Sequence, residues 1–219
     1  MDSTIEKRAF STHGTSTSTL YRRVTEILSR RTSLSRNRIL DLGCGTAELR
    51  NYVAPLFKEY VGADLVRHQN LPPDVEFCQI NLDSEPFALP SESFDAVVGI
   101  EVIEHLENPR LLVREMCRLC KKGGIIVITT PNQLSLLSKG TLLLKNEFNA
   151  FRNSSYPAHI TALLEVDLLR ISRECGLVET QIDYSQEGRI PFTSLHFPKW
   201  ISHLLDRQFS DQVILSGIK

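Results

Sequence analysis

Neither sign of charge is in excess in this chain. Its 219 residues hold 25 Lys and Arg against 26 Asp and Glu, which gives no support for a nucleic-acid partner, usually met with a basic surplus. Cysteine is sparse and odd in number: Cys44, Cys78, Cys117, Cys120 and Cys175. Such a set, with nothing that signals secretion, argues against a disulfide framework. Cys117 and Cys120 make a CxxC without a second pair, so the plainer reading is two small apolar residues one helical turn apart. Long apolar runs are missing as well. The N-terminal stretch has no segment suited to a signal h-region, and no run reaches the roughly 18 apolar residues of a membrane span. The expected location is therefore cytoplasmic. No internal repeat is visible. What remains is ordinary globular composition, 42% hydrophobic and 23% charged, at a length that suits one domain with a sizeable core.

Along the chain, residues 1–17 are polar and Ser/Thr-rich, a loose start with little to bury. Leu20, Val24, Ile27 and Leu28 then recur at helical spacing. From Arg38 the pattern becomes strand–helix alternation. Strands are expected at RILDLG, EYVGAD, VEFCQIN, FDAVVGIE and GGIIVITTPN, apolar on both parities as in a sheet covered on both faces. A helix is expected over residues 108–123, with Asn108 as N-cap, Pro109 in the first turn, Lys121 and Lys122 at the C-terminal dipole and Gly123 as the stop. Such alternation predicts a doubly wound, mostly parallel α/β sheet. LVETQIDYS and DQVILSGIK follow a helix ending at Gly176 and read as a strand pair, one member antiparallel. Residues 1–37 are expected to form an N-terminal segment and cap helix. Residues 38–219 form the main domain, with insertions near 133–158 and 186–210 of the kind that become lids or substrate-shaping elements. Phe197, Trp200, Ile201, Leu204 and Leu205 have helical spacing, and core or lid packing is the expected role.

The strongest feature is the turn Ile39-Leu40-Asp41-Leu42-Gly43-Cys44-Gly45-Thr46-Ala47, which follows a strand and opens a helix. Two glycines let a ligand approach the backbone, although the third glycine of a dinucleotide fingerprint is absent. Asp64 lies 23 positions after Asp41 at the end of the next strand, where a carboxylate can accept both hydroxyls of a ribose. Asp41 would hold the turn or meet a cation on the ligand. Asn81-Leu82-Asp83 ends the third strand, again at the carboxyl edge where ligands collect.

In this order and spacing, ILDLGCGTAEL, VGADL, LPSESFDAVVGIEVIEHL and KKGGIIVITTPN resemble a class I S-adenosylmethionine-dependent methyltransferase. The likeness covers about residues 38–184 and is nearest the type 11/12 methyltransferases and the ubiquinone-pathway O-methyltransferases. It implies a Rossmann-like sheet of seven strands with a reversed last strand, and S-adenosyl-L-methionine as cofactor. The turn carrying Gly43, Cys44 and Gly45 would cradle the amino-acid end of the cofactor, with Asp41 nearby. Asp64 would bind the ribose and Leu65 flank the adenine. Asn81, Leu82 or Asp83 would contact the adenine, with the choice between Asn81 and Asp83 left open. Ile100 and Glu101 would line the methionine end. The departure from the pattern is Ala47 in place of a third small glycine.

Glu101, Glu104 and His105 would share one helical face if a helix starts there, and His159 follows later. Two carboxylates and two imidazoles could hold a divalent cation, an arrangement that resembles the metal-dependent small-RNA 2′-O-methyltransferases. The same stretch occurs in relatives without metal, so no metal site is assigned and His105 is the candidate general base. His13, His68, His196 and His203 read as surface or core residues. The expected reaction is methyl transfer to a small-molecule acceptor, most often at a hydroxyl oxygen. Three other readings remain: a metal-dependent RNA 2′-O-methyltransferase, with Arg110, Arg114 and Arg118 as the best local basic stripe; a nicotinamide-dependent oxidoreductase; and a domain that binds the cofactor without turnover. The missing third glycine and the absence of a Tyr-x-x-x-Lys weigh against the oxidoreductase.

Overall fold

The structure is a computed structural model that describes residues 14–190, 193 and 195–219. Seven strands form one sheet: β1 (Arg38–Leu42), β2 (Glu59–Asp64), β3 (Glu76–Gln79), β4 (Phe94–Ile100), β5 (Cys120–Pro131), β6 (Val178–Tyr184) and β7 (Gln212–Ile218). Their order is β3-β2-β1-β4-β5-β7-β6. The pairs β1–β2, β1–β4, β2–β3 and β4–β5 are parallel. β7 runs antiparallel to both neighbours, so the reversed strand lies between β5 and β6 and the edge belongs to β6.

Strand side chains alternate between two faces, and each face has its own apolar cluster. Leu40, Leu42, Val97, Ile126 and Ile128 share one with Leu111, Leu112 and Met116 of α3 (Pro109–Leu119) and Leu168 and Ile171 of α5 (Glu165–Glu174). Ile39, Ala96, Val98, Ile125 and Val127 share the other with Leu20, Val24, Ile27 and Leu28 of α1 (Ser18–Arg30) and Leu49 and Val53 of α2 (Leu49–Val53). The near-continuous apolar strands follow from this double covering. Two further helices, α4 (Leu136–Lys145) and α6 (Lys199–Leu204), lie in the long segments after β5 and β6.

Four local readings change. First, α3 starts where its cap predicts, with the Asn108 side chain accepting from the Leu111 amide at 3.1 Å, but it ends at Leu119. Cys120 is already extended and pairs with Phe94, and the register resumes at Ala96 with Ile125. Lys121 therefore meets the buried Asp95 carboxylate at 2.8 Å rather than a helix end, and the CxxC is split between a helix and a strand. Burial pushes the Cys117 and Cys120 thiols each up to about 12, which makes them inert apolar filling.

Second, Glu101, Glu104 and His105 do not lie on an α-helix: only Ile103–His105 form a 3-10 turn. Third, Gly14–Thr17 is tied down. Thr46 donates its amide to the Gly14 carbonyl at 3.0 Å, Ser16 donates its hydroxyl to Glu101, and Thr17 caps α1 by accepting from the Leu20 amide. The rest of the polar start, His13 included, lies outside the described residues. Fourth, Trp200 and Leu204 are 70% and 74% exposed, so they are not core packing.

Candidate active site

The carboxyl ends of β1, β2, β3 and β4 open into a cavity of about 410 Å³. Asp41, Gly43, Cys44, Asp64, Leu65, Asn81, Leu82, Asp83, Ile100, Glu101 and His105 all reach its wall. Gly45 does not. It lies just behind, with φ +54, and a Cβ there would run into the Gly14 carbonyl, so this position requires glycine. Ala47 also has a left-handed φ of +61, the conformation that a third glycine would adopt without strain.

Asp64 builds the turn. One carboxylate oxygen accepts from the Gly45 amide at 2.9 Å and the other from the Leu65 amide at 2.7 Å. Each oxygen keeps a second acceptor position for a ligand hydroxyl. Asp41 is buried on β1 and accepts from the Tyr60 hydroxyl at 2.6 Å. Burial raises its carboxyl to about 7, opposed by the Tyr60 hydrogen bond and aided by the charge of Asp64. A cation beside it would restore the charged form. At the end of β3, the Asn81 side-chain oxygen accepts from the Asp83 amide at 3.0 Å. One oxygen of Asp83 accepts from the amides of Glu107 and Asn108. Asn81 thus offers its amide donors to the cavity, and Asp83 its second carboxylate oxygen.

Glu101 follows β4 with φ +51, and its amide donates to the Thr129 hydroxyl at 3.0 Å. Left-handed backbone at a non-glycine residue is costly and often marks a working position. The Glu101 carboxylate accepts from Ser16 and, at 3.1 Å, from the Gln212 side chain. Its carboxylate is thus engaged away from the other three residues that the sequence reading weighed as a possible cation group. The other three members do converge: Glu104, His105 and His159 each present a ligand atom within 4.8 Å of the others.

That trio has a defined polarity. Nδ1 of His105 lies 2.8 Å from the Ala158 carbonyl, and Nδ1 of His159 lies 2.7 Å from the Ala150 carbonyl. A carbonyl only accepts, so each ring carries its proton on Nδ1, and in the neutral ring Nε2 keeps the lone pair. The two rings meet edge on, 4.9 Å apart. Glu104 is fully buried. One of its oxygens accepts from the Thr130 hydroxyl at 3.1 Å and the other has no partner. Burial first, then the charge of Glu101, raises this carboxyl well above the ordinary range. Two imidazoles and a buried carboxyl, with ligand atoms this close to one another, are a donor set that suits a divalent cation. The carbonyl-bound Nδ1 atoms are the outer partners that metal-ligating histidines usually have.

Part of the wall had no clear signal in the sequence. Gly14–Ser16, Tyr21 and Ser154–Ala158 also line the cavity. The Ser/Thr run before an amphipathic helix was readable as a cap, but not as a cover over a turn far along the chain. His68 packs against Gly14, while His196 and His203 are exposed. Arg110, Arg114 and Arg118 pair with Glu174, Glu85 and Glu115, so the stripe is neutralised.

A sheet of this order, with a glycine turn after the first strand and an acid closing the second, defines a nucleoside-binding α/β domain. The comparisons make it specific. The model of a methyltransferase domain family matches residues 16–181. The chain is 31% identical over 152 residues to the "Probable S-adenosylmethionine-dependent methyltransferase" of Mycolicibacterium smegmatis, an overlap covering 64% of this chain and 57% of that protein. It is 35% identical over 104 residues to the ubiquinone biosynthesis O-methyltransferase of a Ruegeria species, covering 44% of this chain and 42% of that one. The chain thus spans about a third to just over half the length of curated relatives it matches.

Among solved structures, a SAM-dependent methyltransferase from Archaeoglobus fulgidus superposes with a TM-score of 0.62 at 19% identity, over 91% of this chain and 94% of the other. The [4+2]-cyclase SpnF superposes at 0.57 and 20% identity, over 90% and 81%, so the fold alone does not fix the reaction. The chain belongs to the class I S-adenosylmethionine-dependent methyltransferases, whose cofactor is S-adenosyl-L-methionine. Among the described residues, no helix is long and apolar enough to cross a membrane.

Proposed function

We propose that this chain transfers the methyl group of S-adenosyl-L-methionine to a hydroxyl oxygen of a small acceptor, with His105 as general base. The cofactor would lie across the carboxyl ends of β1 to β4. Its ribose would meet Asp64, its adenine would meet Leu65, Leu82 and either Asn81 or Asp83, and its amino-acid end would meet the Gly43–Gly45 turn, Asp41, Ile100 and Glu101. When bound, the sulfonium supplies the electrophilic methyl group. The residues supply position, and holding the acceptor in line with that methyl accounts for up to about 7–11 kcal/mol of the barrier. A neutral hydroxyl also has to lose its proton. The observation that carries this reading is the place of the His105 ring in the cavity wall, held there by the Ala158 carbonyl on Nδ1.

The ubiquinone-pathway relative, an O-methyltransferase by name, supports oxygen as the target. The ion-paired arginine stripe supports a small acceptor over an RNA. Five free thiols support a reducing, cytoplasmic setting. The test is turnover of S-adenosyl-L-methionine by the full chain on a panel of hydroxylated small molecules. Methylated product on oxygen supports the reading, and methylation only of amines or of RNA contradicts it.

A second reading has its own observation, the convergence of Glu104, His105 and His159. A divalent cation there would lower the pKa of an acceptor hydroxyl, and His105 would then be a ligand rather than the base. Calorimetric titration with Mn²⁺ separates the two. Saturable uptake abolished by Glu104→Gln, with thermal stability retained, supports the cation, and no uptake by the unaltered chain supports the base.

A further inference from the structure

Beside the cofactor cavity lies a second chamber of about 310 Å³, and the two share Glu101, Ser155 and His159 as a common wall. Its lining is polar: Asn132, Gln133, Ser135, Ser138, Asn149 and Arg152 face it, and Arg189, Asp211 and Gln212 complete the wall. Most of these groups have fixed partners. Asn132 donates to the carbonyls of Arg207 and Ser210. Gln133 donates to the Pro131 carbonyl and accepts from Ser138. Asp211 pairs with Arg189 at 3.2 Å, and Glu101 is held by Ser16 and Gln212.

Arg152 is different. It is half-buried, and its Nε donates to the Asn149 carbonyl at 3.0 Å, which fixes the head of the side chain. Its guanidinium has no acidic partner among the described residues. Both acids in the chamber are already taken, so the cation is uncompensated. Asn149 and Ser155 line the same chamber. A guanidinium held at one nitrogen, with its other donors directed to a polar recess, suits a planar oxyanion.

We propose that this chamber is the acceptor subsite, and that it takes a small hydroxylated molecule carrying a carboxylate or phosphate group, bound by Arg152. The assignment rests on the methyl-transfer reading above. The acceptor's anionic end would lie against Arg152, and its hydroxyl would reach the shared wall beside His159 and Glu101.

The experiment is calorimetry on the full chain loaded with S-adenosylhomocysteine, using 3-hydroxybenzoate, 3-hydroxyphenyl phosphate and phenol as probes. The two anions are expected to bind about tenfold tighter than phenol. Arg152→Met should erase the difference and Arg152→Lys should keep part of it. Equal affinity for phenol and the anions, binding by none of the three, or a preference that survives Arg152→Met overturns the assignment. Uptake of S-adenosylhomocysteine, measured first, keeps the two levels apart. If that uptake fails, the methyl-transfer reading falls; if it holds and the anion preference is absent, only the chamber assignment falls.

Discussion

The two sides of the cleft are built by different means. On the cofactor side, short turns at the ends of four parallel strands are held by carboxylates that accept backbone amides. Asp64 grips Gly45 and Leu65, and Asp83 grips Glu107 and Asn108. On the side proposed for the acceptor, walls come from the long segments after β5 and β6, whose helices leave Leu143, Leu144 and Trp200 mostly exposed. On the proposed reading, one side would meet a ligand shared by a whole family, with groups whose spacing the sheet dictates, and the other a ligand particular to this chain, with side chains that the sheet does not place.

Substitutions that act on one side and spare the other sharpen this contrast. The largest effect is expected from His105→Gln, which should lower kcat by roughly 10²–10⁴-fold, the usual scale of general-base loss, while S-adenosylhomocysteine binds as before. Equal losses of turnover and cofactor affinity would move His105 to the cofactor side. Next, Asp64→Ala should weaken cofactor binding by about 1.5–3 kcal/mol, the scale of a lost charged hydrogen bond, read by calorimetry, with little change in acceptor KM at saturating cofactor.

Asp41 gives a pH signature. Burial pushes its folded carboxyl up to about 7 from the ordinary carboxylate range near 4, so between those values the folded chain holds a proton that the unfolded chain has lost. Stability from this group is therefore greatest below about 4 and falls as pH rises through 7, and Asp41→Asn should flatten that fall in thermal melts. An S-adenosylhomocysteine ammonium placed beside Asp41, as proposed, would favour its ionised form, so uptake at pH 6 should release a proton and tighten by up to about tenfold per pH unit toward 7. Heats that are the same in buffers of different ionisation enthalpy would contradict this. Gly45→Ala tests the cover over the turn. The left-handed backbone alone costs about 1–2 kcal/mol, and the methyl group would displace Gly14, so melting temperature and cofactor affinity should fall together. A change in melting temperature alone would show that the Gly14–Ser16 cover does not bear on the cofactor.

What was legible in the sequence follows the same division. Strand positions, the glycine turn and the acid at the end of β2 could be read because local periodicity and short-range spacing dictate them. Even there, the end of α3 was misplaced. Lys121, Lys122 and Gly123 have the chemistry of a helix stop, but pairing of Cys120 with Phe94 outweighs it. The convergence of Glu104 and His105 with His159 depends on how residues 146–160 return to the sheet, and the Gly14–Ser16 cover on a contact with Thr46. Neither leaves a periodic trace. Arg152 was passed over because an arginine in a long polar segment looks like any solvated charge until the chamber around it is seen.

The central claim is that the turn from Gly43 to Gly45, closed by Asp64, binds the adenosyl cofactor. Titration of the full chain and of its Asp64→Ala variant with S-adenosylhomocysteine tests it most directly. The account predicts saturable uptake at one site per chain, weakened at least about tenfold in the variant. No uptake by the unaltered chain, or equal affinity in the two, would contradict it.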